Sequence, residues 1–280
     1  MERRSCRREP GKNRHMSSCH YSMIRVFQCE DTLTGILTGV YDAWDSRLGH
    51  ENVRLQSGDQ ENLELFCEYE EVEPDLVKAE KVLGTVRTRL GEEACEMIAY
   101  ASAYPHAGKA DAIYRMIVVG LHLPDGRMVS GMLTHPDVRL VFELRRKTWH
   151  MAHRYMGFVR FRELKNGVLF SEIEAEADVL ALIAPHFADR LMMEDWAIYD
   201  RRRRKAAVHP AGKGWVILED AKEAFSRLEE SEEEPYFDRL WKIFHRALGI
   251  ASRANPGLQM SFLPRKFRPF MNEFADSKTT

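Results

Sequence analysis

The most densely charged stretch of the sequence is a run of five consecutive cations: Arg201, Arg202, Arg203, Arg204 and Lys205. It joins two stretches, Trp196–Asp200 and Lys205–His209, whose composition predicts β-strands. Cations at the tip of a hairpin repel one another unless an anion neutralises them, so the run predicts contacts with nucleic-acid phosphates. A solvated turn is the alternative. Trp196, Tyr199 and Trp215 on the flanking strands would either stack on unpaired bases or fill the core.

Four further basic residues are candidates for the same surface: Arg160, Arg162, Arg190 and Lys266. Arg160 and Arg162 alternate along a predicted strand, which would place them about 7 Å apart on one face. Two guanidinium groups at that spacing can bind neighbouring phosphates, or they can pair with Glu172 and Glu174 on the partner strand. The sequence leaves both alternatives open.

A second group of residues could carry acid–base chemistry. His186 and Asp189 lie three residues apart, a spacing at which a carboxylate can orient an imidazole as a general base. His153, which shares a helix face with His150, is a third catalytic candidate. The alternative is structural, with a capping carboxylate and packed or hydrogen-bonded imidazoles. There is no Walker loop, GxGxxG turn or GxSxG elbow, so nucleotide-dependent catalysis has no support from motifs.

Metal and cofactor sites are not predicted. The five cysteines form no CxxC pair: Cys6, Cys19, Cys29, Cys67 and Cys95. The spacing of His150 and His153 suits a metal, but the further ligands of a zinc site are missing nearby. We expect no metal, no cofactor and reduced thiols, as in the cytoplasm.

The elements that must position these residues follow from hydrophobic periodicity. Before residue 137 this periodicity predicts one strand, Met23–Cys29, and a polar loop at Asn52–Asn62. It also predicts four helices, which run from Thr32 to Trp44, from Pro74 to Leu90, from Glu92 to Ala103 and from Lys109 to Leu121. A helix from Asp137 to Gly157 follows. Gly157–Leu164 and Val168–Ile173 then form a hairpin around Asn166-Gly167.

The later elements complete an α+β fold. A helix from Leu180 is broken or restarted at Pro185, and the strands around the arginine run and Trp215–Leu218 follow it. We predict an antiparallel β-meander with helices packed on it, an N-terminal β-α element and C-terminal helices. Residues 1–22 are expected to be a disordered basic extension, and 23–136 and 137–280 to form one continuous unit. No apolar stretch approaches the roughly 20 residues that cross a bilayer.

Several strings together carry a family resemblance: Ala152–Arg154, Gly157–Leu164, Ala184–Arg190, Trp196–Asp200 with Arg203, Asn255–Gln259, Phe262 and Pro264–Phe267. They resemble a bacterial family assigned to DNA repair and DNA metabolism and built on a domain of unknown function. The resemblance implies a genomic association with a radical S-adenosylmethionine (SAM) protein thought to modify or repair DNA. Some relatives are fused to a uracil-DNA glycosylase. The run after Asp200 is more arginine-rich than the family's usual Asp-x-x-Arg.

Three functions follow as hypotheses. The first is a cytoplasmic DNA-binding accessory protein that works with a radical SAM enzyme and leaves catalysis to it. The second is a DNA-processing enzyme that uses His186 and Asp189. The third is a protein-interaction module whose acidic segments, Glu68–Glu73 and Glu229–Glu234, bind a partner without DNA contact.

Overall fold

The structure, a computed structural model, describes residues 23–58, 65–221 and 265–271, except for the side chains of Arg265, Lys266 and Arg268. The predicted extension at 1–22, the acidic run Glu229–Glu234 and most of the predicted C-terminal helices lie outside the described residues. No described helix is long and apolar enough to cross a membrane. The three described cysteines, Cys29, Cys67 and Cys95, form no disulfide.

The first sheet contains three parallel strands, β1 (Ile24–Cys29), β2 (Val53–Ser57) and β3 (Cys67–Val72), in the order β2-β1-β3. Helix α1 (Leu33–Asp45) connects β1 to β2 as a crossover, which is the connection that parallel strands require. The Thr32 hydroxyl caps α1 by accepting from the Gly35 amide at 3.0 Å. The predicted β-α start is confirmed.

The predicted polar loop at Asn52–Asn62 is wrong in its first half. Val53, Leu55 and Ser57 are buried on one face of β2, while Arg54 points to solvent. This alternation with period two is the pattern of a half-buried strand. A strand of five residues, three of them polar, is too short to stand out from a loop, and its partner β1 is distant in sequence.

Four helices then pack together: α2 (Leu76–Leu90), α3 (Glu92–Ser102), α4 (Lys109–His122) and α5 (Pro136–Phe158). Each begins and ends within a few residues of the predicted bounds. Asp75 caps α2 by accepting from the Val77 and Lys78 amides, and Gly91 ends it with φ of 92°. The main core lies among α1, these helices and the inner face of the first sheet.

The second sheet contains five strands in sequence order: β4 (Arg162–Glu163), β5 (Leu169–Ile173), β6 (Trp196–Asp200), β7 (Lys205–His209) and β8 (Val216–Leu218). Helix α6 (Leu180–Arg190) connects β5 to β6 and packs against α5. A second core cluster lies between α5, α6 and this sheet, and Phe267 closes it.

The α+β class is confirmed, but the antiparallel meander is wrong. The first sheet is wholly parallel, and β5 pairs with β6 in parallel within the second sheet. The reason is α6, which returns the chain to the edge where β5 began, so that β6 runs in the same direction. The other pairs of the second sheet, including β4–β5 at the Asn166-Gly167 turn, are antiparallel.

Two local predictions also need correction. Helix α5 continues to Phe158, so the strand predicted from Gly157 begins only at Arg162, and Arg160 precedes it. Pro185 does not break α6, which is continuous from Leu180 to Arg190.

Candidate nucleic-acid interface

The β6–β7 turn is anchored by an ion pair. Asp200 is completely buried, and its carboxylate accepts from the Arg202 amide and from Arg203 Nη1, both at 3.0 Å. Arg203 also donates to the carbonyl oxygens of Ala175 at 2.9 Å and Glu176 at 2.6 Å. Burial raises the pKa of Asp200, whereas Arg203 acts to lower it. The guanidinium therefore ties the turn to the segment after β5.

The five cations of the turn are consequently not equivalent. Arg203 is engaged by one carboxylate and two carbonyls, and Lys205 Nζ pairs with Asp178 at 3.6 Å and with Glu219 at 3.1 Å. The other three side chains of the turn are exposed: Arg201, Arg202 and Arg204. The turn thus presents three arginines rather than five cations.

The other predicted cations do not join the turn. Arg190 is exposed near the start of β6, so the length of that strand, about 17 Å, separates it from the turn at the other end. Arg160 Nη1 donates to the Gly157 and Val159 carbonyls at the end of α5. The Arg162 guanidinium lies 5.3 Å from the Phe170 ring centre. The predicted sharing of one strand face by Arg160 and Arg162 is therefore wrong, and the Lys266 side chain lies outside the described residues.

The predicted catalytic residues are not brought together. The His186 ring is half-buried with its edge against Phe187 at 5.1 Å, Asp189 is exposed, and no hydrogen bond joins them in the described structure. His153 lies on α5, where it stacks on Trp149. Residues 23–58, 65–221 and 265–271 contain no group of three or more His, Cys, Asp or Glu placed to hold a metal ion.

The aromatic residues predicted as alternatives for base stacking belong to the core. Trp196 is fully buried and stacks on His209 at 5.1 Å, and Tyr199 is also buried. Trp215 is half-buried against the second core cluster. Stacking on a base by Trp196 or Tyr199 would require the sheet to open.

A groove along α5 combines a concave shape with cations that have no carboxylate partner in the described structure. Sequence reasoning missed this groove. Its volume is about 470 Å³, and seven residues line it: Tyr104, Arg146, Lys147, His150, Met151, Arg154 and Phe267. Arg146, His150 and Arg154 recur every four residues, so they form one stripe along the helix.

The polar side chains of this groove have no carboxylate partners among the described residues. Arg146, Lys147, His150 and Arg154 are all exposed, and no carboxylate of the described residues forms an ion pair with them. Glu143 lies one turn earlier on α5 and makes no ion pair with Arg146 or Lys147. The groove is therefore positively charged, and an anion is the ligand that its charge favours.

The wall and floor of the groove are aromatic. Lys147 Nζ lies 5.3 Å from the centre of the Tyr104 ring, and the Tyr104 hydroxyl donates to Glu176 Oε1 at 2.9 Å. Burial and this hydrogen bond raise the pKa of Tyr104, which keeps the hydroxyl protonated. The backbone carbonyl of the same Glu176 accepts from Arg203, so the groove and the turn are joined through one residue.

A second cavity, of about 660 Å³, lies between the carboxyl end of β1 and the second sheet, but its cations are already paired with carboxylates. Lys109, only 2% exposed, donates to the Ser102 and Tyr104 carbonyls and to Asp31 at 2.7 Å. Across the cavity, Lys205 pairs with its own carboxylates. The α5 groove is the stronger candidate for a ligand.

Comparisons with known proteins support only a coarse assignment. A model of a family described as a domain of unknown function (DUF4130) matches residues 107–273, a range that includes α5, the second sheet and the turn. No curated protein matches the chain. A solved structure of a DHH domain, from a member of a family of ribosomal proteins, is 10% identical, with 68% of this chain and 74% of that chain covered and a TM-score of 0.32. A likeness at that level carries no argument about function.

Proposed function

This chain belongs to the DUF4130 family, and we propose that it is a DNA-binding accessory protein that acts in DNA repair or DNA metabolism in the cytoplasm. Its binding surface is the α5 groove, extended by the exposed arginines of the β6–β7 turn. Its partner is a radical SAM enzyme that modifies or repairs DNA.

One observation carries the DNA-binding proposal: three cationic side chains of α5, Arg146, Lys147 and Arg154, line a single groove without carboxylate partners in the described structure. Cations in that state release counterions when they bind phosphates, which favours association with a polyanion. The formal net charge of −2 does not oppose this, because a local patch acts within a Debye length of about 10 Å.

The resemblance to a DNA repair and metabolism family supports the biological role and the radical SAM partner. We assign the chemical step to that partner, because this sequence has no cysteine cluster for radical chemistry. His186 and Asp189 are not hydrogen bonded to each other, so the geometry does not favour the enzyme hypothesis. The acidic-module hypothesis draws no support from Glu68 and Glu70, which both pair with Arg25 on the first sheet.

The test is a salt titration of DNA binding by fluorescence anisotropy. Replacing Arg146, Lys147 and Arg154 together with alanine should remove up to three phosphate contacts. The slope of log affinity against log salt should then fall by about 2–3, because each contact contributes about 0.7–0.9. The loss should be similar for every base sequence, since phosphates carry no sequence information.

A matched control removes the same charge elsewhere. Lys81, Arg87 and Arg89 lie exposed on α2 and line neither the groove nor the turn, so their triple alanine variant should keep the wild-type slope. The DNA-binding proposal is rejected if wild-type protein retains no DNA at low salt. It is also rejected if both triple variants change the slope equally.

A further inference from the structure

An exposed tryptophan lies at the centre of the α5 surface. Trp149 is 38% exposed, and its ring stacks on His153 with centroids 5.1 Å apart and planes within 5°. The His150 ring meets Trp149 at 5.1 Å with an angle of 73°. His150, Trp149 and His153 together form an aromatic strip. Because His150 also lines the groove, the strip lies directly beside it.

Among the described residues, the strip has no role in the core. The buried face of α5 near it is formed by Thr148, Met151, Ala152 and Tyr155, and Trp149 belongs to neither of the two main core clusters. A tryptophan is among the largest apolar side chains, and leaving 38% of its surface exposed forgoes part of its burial energy. Its ring contacts are two imidazoles of its own helix. Core packing within the described part of the chain therefore does not explain Trp149.

The aromatic strip and the cations of the groove lie on the same side of helix α5. At 100° per residue, positions 149, 153, 146, 150, 154 and 147 follow one another around an arc of about 160°. The Trp149 and His153 rings lie at one end of this arc and Arg154 and Lys147 at the other, while Arg146 and His150 lie in the middle. A ligand along α5 thus meets ring faces at one edge of this surface and positive charge across the rest of it.

We propose that the α5 surface selects single-stranded nucleic acid, with unpaired bases stacking on the Trp149–His153 strip while the backbone phosphates contact Arg146 and Arg154. This inference rests on the proposed function and specifies its substrate class. Ring faces beside a cationic groove are the arrangement by which proteins hold single strands without sequence preference. A duplex keeps its bases stacked internally and offers the strip only its backbone.

Four probes separate stacking from charge: a thymidine 20-mer, the RNA of the same sequence, a 20-base-pair duplex and an abasic deoxyribose-phosphate 20-mer. Replacing Trp149 with leucine should weaken binding to the thymidine 20-mer about 5- to 100-fold, the range of one lost base stack. Affinity for the duplex and the abasic strand should change less than twofold. An equal loss with RNA extends the assignment to all single strands, and a loss confined to DNA restricts it to DNA.

Two control variants keep the result interpretable. Trp149→Phe retains an aromatic ring and should recover most of the affinity for the thymidine 20-mer. Trp44→Leu removes a tryptophan of similar exposure, 43%, from α1 and should change nothing. Thermal unfolding of each variant shows whether α5 has kept its structure.

The outcomes for the two proposals differ. Equal affinity of wild-type protein for the single strand and the duplex, or a Trp149→Leu loss of the same size on the abasic strand, overturns strand selection but leaves DNA binding intact. No effect of Trp149→Leu on any nucleic acid, together with weaker capture of a partner protein, makes the strip a protein-docking site. Failure of the alanine variant of Arg146, Lys147 and Arg154 to change any affinity instead removes the proposed function itself.

Discussion

The β6–β7 turn and the α5 groove are two cationic regions that differ in what their charges already contact. The turn has five consecutive basic residues, yet Arg203 and Lys205 are engaged by protein carboxylates. The groove takes its three cations, Arg146, Lys147 and Arg154, from positions spread over nine residues of α5, and none has a carboxylate partner in the described structure. The density of charge along the chain is therefore a poor guide to the charge available to a ligand.

The difference has a structural origin. The segment after β5 lies outside helix and strand, so its carbonyl oxygens need hydrogen-bond donors from elsewhere. Arg203 of the neighbouring turn donates to two of them, those of Ala175 and Glu176. A helix satisfies its backbone internally, and the side chains on its solvent face are then left for other contacts. In this molecule Arg203 of the turn is therefore structural, while the cations on the solvent face of α5 stay accessible.

The largest expected effect is on the free energy of unfolding. It should be large when the anchoring Arg203 is replaced and small when its exposed neighbour Arg202 is replaced. Arg203→Met leaves the Asp200 carboxylate buried without its partner, which should lower the free energy of unfolding by about 3–5 kcal/mol at pH 7.5. Urea denaturation measures the loss. Arg202→Met, which changes an exposed neighbour, should cost less than about 0.5 kcal/mol.

The pH dependence of the same variant sharpens the comparison. Burial raises the pKa of Asp200, and removal of Arg203 takes away the main group that lowers it. The folded-state pKa then rises further above the unfolded value, so the carboxyl binds a proton more readily when folded. The loss in Arg203→Met should shrink between pH 7.5 and pH 5. A loss independent of pH would show that Asp200 is not the group left unpaired.

The next largest expected effect is on the salt dependence of DNA binding, and it differs between the turn and the groove. Replacement of Arg201, Arg202 and Arg204 with alanine should lower the salt slope by about 1–2, less than the groove variant of Arg146, Lys147 and Arg154. Three side chains on a protruding turn contact fewer phosphates at once than three in a groove. Anisotropy at four salt concentrations distinguishes the slopes, and a larger effect from the turn would reverse the ranking.

The smallest expected effect is a difference in salt slope between single substitutions of two groove cations, Arg154 and Lys147. The Lys147 ammonium is over the Tyr104 ring, so part of its charge is already stabilised, whereas Arg154 has no such contact in the described structure. Arg154→Gln should lower the salt slope by about 0.7–0.9, and Lys147→Gln by less than that. Equal slopes for the two variants would mean that the Tyr104 contact gives way when DNA binds.

Local patterns predicted most of the elements. The bounds of β6 and β7 follow from β-prone residues on both sides of a charged turn, and Asp75 and Gly91 mark the ends of α2. The direction of β6 does not follow from such patterns, because it depends on where α6 returns the chain. Strand β2 was missed because it is short and its partner β1 lies across a helix.

The candidate site was predicted only in part. The histidines of α5 were singled out, but as metal or catalytic candidates rather than as part of a groove. The groove exists because Tyr104 and Phe267, from positions far away in the chain, form its wall and floor. A single clue was available in the sequence: Arg146, His150 and Arg154 repeat at helical spacing without an acidic residue at the intervening turns.

Glu176 has a consequence for affinity beyond its two contacts. Its backbone oxygen accepts from Arg203 and its carboxylate accepts from Tyr104, so one residue sets the separation of the turn and the groove. Two weak sites held at a fixed distance act as a bivalent receptor, in which occupation of one raises the local concentration of ligand at the other. A DNA strand long enough to span both should bind with avidity, while a shorter strand should bind each site with its individual affinity.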